Sequence, residues 1–105
     1  MKQITIIGYG RFGKLLAKIA SSTFDISIIE NNVELTNAAR EDGYNVISID
    51  QISDSEFIFL AVPISEIESV LLRIAPFLTR ANTVIDVCSV KVYPVELMKK
   101  HLTGV

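Results

Sequence analysis

The stretch Ile4-Thr5-Ile6-Ile7-Gly8-Tyr9-Gly10-Arg11-Phe12-Gly13-Lys14-Leu15-Leu16-Ala17-Lys18-Ile19-Ala20 decides how this chain folds. Its opening run of β-branched residues reads as a buried strand. A glycine-rich turn follows. Beyond it, Phe12, Leu15, Leu16 and Ile19 recur at the spacing of one helical face, which predicts a helix packed on a sheet through that stripe. Strand, Gly-x-Gly-x-x-Gly turn and helix, in that order, form the phosphate-binding corner of a dinucleotide fold. Each glycine has its own task. Gly8 permits the tight turn out of the strand, Gly10 lets a pyrophosphate approach the backbone, and Gly13 lets the helix pack close. The helix N-terminus adds unpaired N–H groups and the positive end of the helix dipole. The same residues without a ligand would make an ordinary strand–turn–helix unit, and it is the full context that raises the nucleotide reading.

A second signal stands about 20 positions after the first glycine. Glu30 ends the next apolar run, Ile26-Ser27-Ile28-Ile29. An acidic residue at that strand tip can accept hydrogen bonds from the ribose hydroxyls of the adenosine half. Its charge also opposes a 2′-phosphate, so the expected cofactor is NAD rather than NADP. No Arg follows Glu30; Asn31 and Asn32 do. Arg11 could contact the pyrophosphate or lie along the adenine side. A Glu at a strand end can also be merely solvated.

The rest of the chain alternates strand and helix patterns with short connections, which points to a parallel sheet covered on both faces. Strands are expected at about 3–7, 25–30, 44–48, 57–62 and 83–88. The first helix spans about 11–21. A second spans about 32–42, with Asn31 or Asn32 as N-cap and Gly43 just past its end. Ser53-Asp54-Ser55 reads as a capped turn. After Pro63, Ser65 and Glu68 fit a capping box, and Ile67, Val70, Leu71 and Ile74 form a core-facing stripe that Pro76 ends or kinks. Pro94 suits the first turn of a last helix, with Val95, Met98 and Leu102 on its inner face. The expected fold is therefore a Rossmann-like, doubly wound α/β domain over residues 1–105. Its strand order would be 3-2-1-4-5, stopping before a sixth strand. Strand five would then be an unpaired edge, with self-association or exchange of the C-terminal segment as its consequence.

Composition bounds the alternatives. At 105 residues and 50% hydrophobic, the chain suits one packed domain. Mean hydropathy is +0.41, yet no apolar run reaches the length of a membrane span. The first strand begins too early for a signal peptide, so a cytoplasmic location with no membrane partner is expected. Net charge is −2 with scattered Lys and Arg, which argues against nucleic acid. One Cys and one His leave no disulfide framework and make a Cys/His zinc site unexpected. Cys88 reads as a buried thiol.

Two further segments lie where ligands of open α/β sheets bind, at the carboxyl ends of strands. Leu60-Ala61-Val62-Pro63 would wall the crevice beside the cofactor, and is otherwise a strand end followed by a helix start. Asp86-Val87-Cys88-Ser89-Val90-Lys91 follows strand five. There Ser89 could orient a substrate and Lys91 could attract an anionic one, if the segment is more than a turn with a solvated Lys.

Gly8 to Gly13, Leu60-Ala61-Val62-Pro63 and Asp86-Val87-Cys88-Ser89-Val90-Lys91 together resemble the cofactor domain of prephenate/arogenate dehydrogenases of tyrosine biosynthesis. The run Ser89-Val90-Lys91-Val92-Tyr93-Pro94 is most similar to the arogenate branch. The glycine motif is shared by many families, whereas the Asp-x-x-Ser-x-Lys segment is more specific. The resemblance implies oxidative decarboxylation of a cyclohexadienyl acid by hydride transfer to NAD(P). It implies cofactor contacts from Gly8, Tyr9, Gly10, Arg11, Phe12, Gly13, Glu30, Ala61, Val62 and Pro63. It gives Ser89 a catalytic role in contact with the substrate region, beside the substrate role that position suggests for Ser89 and Lys91. The family's catalytic His lies in a His-Pro motif that this sequence lacks; His101 precedes Leu102 and does not inherit the role. The family's helical C-terminal domain, for substrate and dimerisation, is likewise not expected here. The chain alone should bind cofactor without turnover. A different class, the non-catalytic nucleotide-sensing domains of potassium transport, is similar over residues 3–30. Neither the Leu-Ala-Val-Pro segment nor the Ser89/Lys91 segment has a role there. Reductases of cyclic imines also carry Leu-Ala-Val-Pro-like segments, and the Ser89/Lys91 segment argues against them.

Overall fold

The computed structural model describes residues 2–87, 91–93 and 95. Five short strands run parallel: β1 (Gln3–Ile7), β2 (Asp25–Ile29), β3 (Asn45–Val46), β4 (Phe57–Leu60) and β5 (Thr83–Asp86). Three helices connect them: α1 (Arg11–Ala20), α2 (Val33–Glu41) and α3 (Ile64–Ile74). The strand order is β3-β2-β1-β4-β5, followed by a sixth short strand, β6 (Lys91–Tyr93). This is the Rossmann-like α/β arrangement expected, with β1 at the centre between β2 and β4.

Side-chain alternation along the strands divides the core in two. Ile4, Ile6, Ile26 and Ile28 point to one face, where Ala17 of α1 and Ala39 of α2 cover them. Ile7, Ile58, Leu60 and Val84 point to the other, beneath Ile67, Leu71 and Ile74 of α3. Burying each such Ile or Leu contributes about 1.5–3 kcal/mol. Because the parallel strands are covered on both sides, they read as continuous apolar runs, which is why β4 was so legible.

Four local expectations are corrected. The first concerns α1. Three of the four residues expected to face the sheet face outward: Phe12 is 51%, Leu15 53% and Ile19 67% exposed, and only Leu16 of that stripe packs inward. The buried face is Gly13 and Ala17, flanked by half-buried Leu16 and Ala20. The helix lies so close to the turn before it that a Cβ on Gly13 would stand 2.0 Å from the Gly8 carbonyl oxygen. Only small residues fit such an approach, so the helical period holds while its inner face is rotated onto Gly13 and Ala17.

Secondly, β5 is not an edge. β6 pairs with it antiparallel, Asp86 opposite Lys91 and Val84 opposite Tyr93. β5 therefore offers no unpaired ladder on that side through which a second copy could associate. Thirdly, the Ser65/Glu68 capping box does not form, because α3 begins two residues earlier than that box requires, with Pro63 as its N-cap and no side-chain cap. Fourthly, β3 is only two residues long, and the capped turn at 53–55 belongs to a longer 3-10 helix, Ile49–Asp54. The Ser48 N–H donates to Gln51 Oε1 at 3.0 Å at its start, and Ile52 is its buried anchor. Elsewhere Asn32 is the N-cap of α2, its Oδ1 accepting from the Leu35 N–H at 3.0 Å, and Gly43 follows the helix at φ +92°. α3 ends at Ile74, and a 3-10 turn, Ala75–Phe77, carries Pro76. Cys88, Ser89, Val90, Pro94, Met98, His101 and Leu102 lie outside the described residues. No helix among the described residues is long and apolar enough to cross a membrane.

Candidate nucleotide-binding site

β1 ends at Ile7 and the chain must reverse into α1 within three residues. Gly8 makes the reversal at φ +103°, a conformation that side chains disfavour, and its N–H donates to the Ile29 carbonyl at 2.9 Å. A Cβ there would also stand 2.5 Å from the Ala61 carbonyl oxygen. The turn is thus wedged between the ends of β2 and β4. Gly10 differs from both of its partners in the motif. It sits at φ −74°, and nothing lies within 4 Å of where its Cβ would stand. Gly10 is also the N-cap of α1, without a side-chain cap and with no acidic residue in the first turn. The first N–H groups of α1 therefore point past an open glycine with no carboxylate competing for them.

A cavity of about 530 Å³ opens at this corner. Ile7, Gly8 and Gly10 line it from the turn, Glu30 and Asn31 from the tip of β2, and Ala61, Val62 and Pro63 from the end of β4. The structure thus brings together Gly8, Gly10, Glu30 and Ala61 to Pro63. Gly13 is buried behind the turn, and Arg11 and Phe12 stand exposed on the first turn of α1 without lining the cavity. The Tyr9 side chain is turned away. It is 1% exposed, packs edge-on against Tyr44 with ring centroids 6.1 Å apart, and donates to the Asp42 carboxylate. Burial, and next the Asp42 bond, push its phenol well above the usual tyrosine range. Lys91 begins β6 at the carboxyl end of β5.

Glu30 is held rather than solvated. Its Oε1 accepts from the Tyr9 N–H at 2.7 Å, and its Oε2 from the Asn31 and Asn32 N–H groups at 3.0 Å each. The carboxylate is half-buried, bound at once to the glycine turn and to the start of α2. A carboxylate offers about four acceptor positions; three N–H groups leave room for a hydroxyl. The sequence reading missed Asn31, Leu35, Ile49, Glu66, Val70 and Arg73 as lining residues. Only the spacing of Glu66, Val70 and Arg73, which puts them on one face of α3, could have signalled them.

An open α/β sheet with a glycine turn, an uncapped helix start and an acidic strand tip defines a nucleotide-binding domain. The chain belongs to the family described as prephenate dehydrogenase, nucleotide-binding domain, which it matches over residues 18–105. No curated protein matches it. Among solved structures it is similar to prephenate dehydrogenase from A. aeolicus, solved with hydroxyphenyl propionate and NAD+. The two are 23% identical with a TM-score of 0.76, over 99% of this chain and 39% of that one. It is also similar to Synechocystis arogenate dehydrogenase, at 22% identity and a TM-score of 0.75, over 95% of this chain and 37% of that one. A third is an NAD-binding protein from Listeria innocua, at 14% identity and a TM-score of 0.65, over 97% of this chain and 33% of that one. The chain spans less than half the length of these proteins. At such identities the likeness is one of fold.

Proposed function

We propose that this chain is the NAD-binding part of a prephenate/arogenate dehydrogenase-like oxidoreductase of tyrosine biosynthesis. The observation that carries the reading is the open space over Gly10 at an α1 N-terminus that no side chain caps, with the Glu30 carboxylate in the same cavity. Gly8, Gly10 and the first turn of α1 would hold the pyrophosphate. Glu30 and Asn31 would hold the ribose diol, and Ala61, Val62 and Pro63 would wall the nicotinamide side. Arg11 and Phe12 would flank the phosphates from the exposed start of α1, and Tyr9 would serve through its backbone. The bound nicotinamide would supply the hydride acceptor. The remaining acceptor position of Glu30 suits a ribose hydroxyl, and its charge opposes a 2′-phosphate, which supports NAD over NADP.

Ser89 and Lys91 would meet the cyclohexadienyl substrate at the end of β5, Ser89 in the catalytic role that the family resemblance gives it. A general base is worth about 10²–10⁴ in rate. The sequence has no His-Pro motif to supply one, so the chain by itself would bind cofactor without turnover, its substrate held by a further helical domain. Calorimetric titration with NAD+ and NADP+ tests the reading. Expected are saturable NAD+ binding at least about tenfold tighter than NADP+, a loss of about 1.4 kcal/mol or more on Glu30→Ala, and no NADH with prephenate or arogenate. A folded chain that binds neither nucleotide would overturn it.

A further inference from the structure

Resting on that nucleotide-binding reading, we propose that Arg73 is a binding residue for the adenine ring, its guanidinium lying over the ring face. The cavity does not end at the glycine turn. It continues along α3, where Glu66, Val70 and Arg73 follow one another on a single helical face, with Ile74 beside them. Leu35 of α2, Ile29 of β2 and Ile49 of the 3-10 helix also line it. The crossover from β3 to β4 is only that short 3-10 helix, so nothing bulkier fills the space between Ile49 and α3.

The lining residues are of two kinds. Gly8, Gly10, Glu30 and Asn31 belong to the glycine turn and the tip of β2, and Glu66 to the first turn of α3. Leu35, Ile49, Val70 and Ile74 are apolar, and Arg73 stands among the latter two on the last turns of α3, away from its Pro63 start. Arg73 is two helical turns, about 10 Å, from Glu66 along α3, too far for an ion pair between them. Among the described residues the ion pairs are Lys2–Glu56 and Lys14–Asp42, so Arg73 is not engaged in one.

A flat, apolar-faced group fits walls of this kind, and a planar guanidinium at the rim stacks on such a face. A phosphate is the less favoured occupant: Arg73 could pair with it, but Leu35, Ile49, Val70 and Ile74 offer it no hydrogen bonds and the Glu30 and Glu66 charges oppose it. One nucleotide half would then be held with its phosphates at Gly10, its ribose at Glu30 and its purine between Ile49 and Arg73.

The test is titration of the full chain and of Arg73→Ala and Arg73→Lys with NAD+, NADP+, 5′-AMP and nicotinamide mononucleotide. Arg73 is exposed, and both variants should fold, which far-ultraviolet circular dichroism checks. Arg73→Ala is expected to weaken 5′-AMP and NAD+ by the same factor, about 3- to 30-fold, and to leave nicotinamide mononucleotide unchanged. Arg73→Lys is expected to restore only part, because an ammonium lacks the planar face. Stacking should also lower the near-ultraviolet absorbance of bound 5′-AMP in the unaltered chain, an effect lost in Arg73→Ala. NAD+ and 5′-AMP binding unaltered by Arg73→Ala would overturn this assignment alone. So would a loss confined to NADP+, which would make Arg73 a phosphate contact. An unaltered chain that binds none of the nucleotides would overturn both this assignment and the function on which it rests.

Discussion

The Tyr9 phenol donates its hydrogen bond to the Asp42 carboxylate, which joins the glycine turn to the C-terminal end of α2. Asp42 also lies 3.8 Å from the Lys14 ammonium, so one carboxylate gathers a residue of the turn and a residue of α1. Tyr9 is sealed beneath them. We expect Tyr9→Phe to cost about 1–2 kcal/mol, because the ring still fills its place while a buried hydrogen bond to a charged group is lost. Urea unfolding at neutral pH measures it, and an unchanged midpoint would show that the bond contributes nothing.

The same bond gives stability a pH dependence. The folded pKa of Tyr9 is raised, by burial first and by Asp42 next, above an unfolded value of about 10. The unfolded chain therefore loses this proton first as pH rises. The contribution is fully present below pH about 10 and falls away as pH climbs beyond that toward the folded value. Unfolding followed from pH 8 to about 11 should show a decline that is shallower in Tyr9→Phe, and equal slopes would remove Tyr9 as its source.

Two glycines of one motif should respond oppositely to the same change. Gly13→Ala forces a Cβ to 2.0 Å from the Gly8 carbonyl oxygen, and overpacking of this kind costs about 1–3 kcal/mol or more. Gly10→Ala meets nothing within 4 Å and keeps a permitted φ of −74°. Its stability should stay within about 1 kcal/mol of the parent, while NAD+ binding weakens and weakens further in Gly10→Val. Thermal unfolding and titration separate the two effects. A destabilised Gly10→Ala would mean that the space over Gly10 is not open.

Substitutions on α1 test which way that helix faces. Leu15→Glu and Ile19→Glu should each change stability by no more than about 0.5 kcal/mol, as exposed positions do. Ala17→Leu, on the buried face, should cost about 1–3 kcal/mol by overpacking. A loss of several kcal/mol in Leu15→Glu would restore the inward stripe that the sequence suggests.

That helix marks the limit of what could be read from the sequence. Residues 3–7, 25–29 and 57–60 were legible as strands because a parallel strand buried on both faces leaves a continuous apolar run. The turn was legible because few other arrangements call for glycines at positions 8, 10 and 13. The periodicity of α1 was correct in spacing and wrong in phase. Large apolar residues normally mark the inner face, but the approach of α1 to the Gly8 carbonyl admits only Gly13 and Ala17 there. Glu30 could be placed at a strand tip, yet its bonds to Tyr9, Asn31 and Asn32 depend on backbone N–H groups that carry no sequence signature. Tyr9 was grouped with its neighbours in the motif, and only the fold shows that it points into the core. The pairing of β6 with β5 was hidden because three residues are too few for a pattern. The lining residues of α3 escaped because Val70 and Ile74 also read as core.

Glu30 has one more consequence. The carboxylate expected to distinguish the two nicotinamide cofactors is also the brace that shapes the glycine turn through the Tyr9 N–H. Selectivity and loop architecture are thus written into a single side chain. An engineer who removes the negative charge to admit a phosphorylated cofactor also removes the acceptor for three backbone donors. Inverting cofactor preference in this scaffold is therefore a task for paired substitutions, one to receive the phosphate and one to re-anchor the loop.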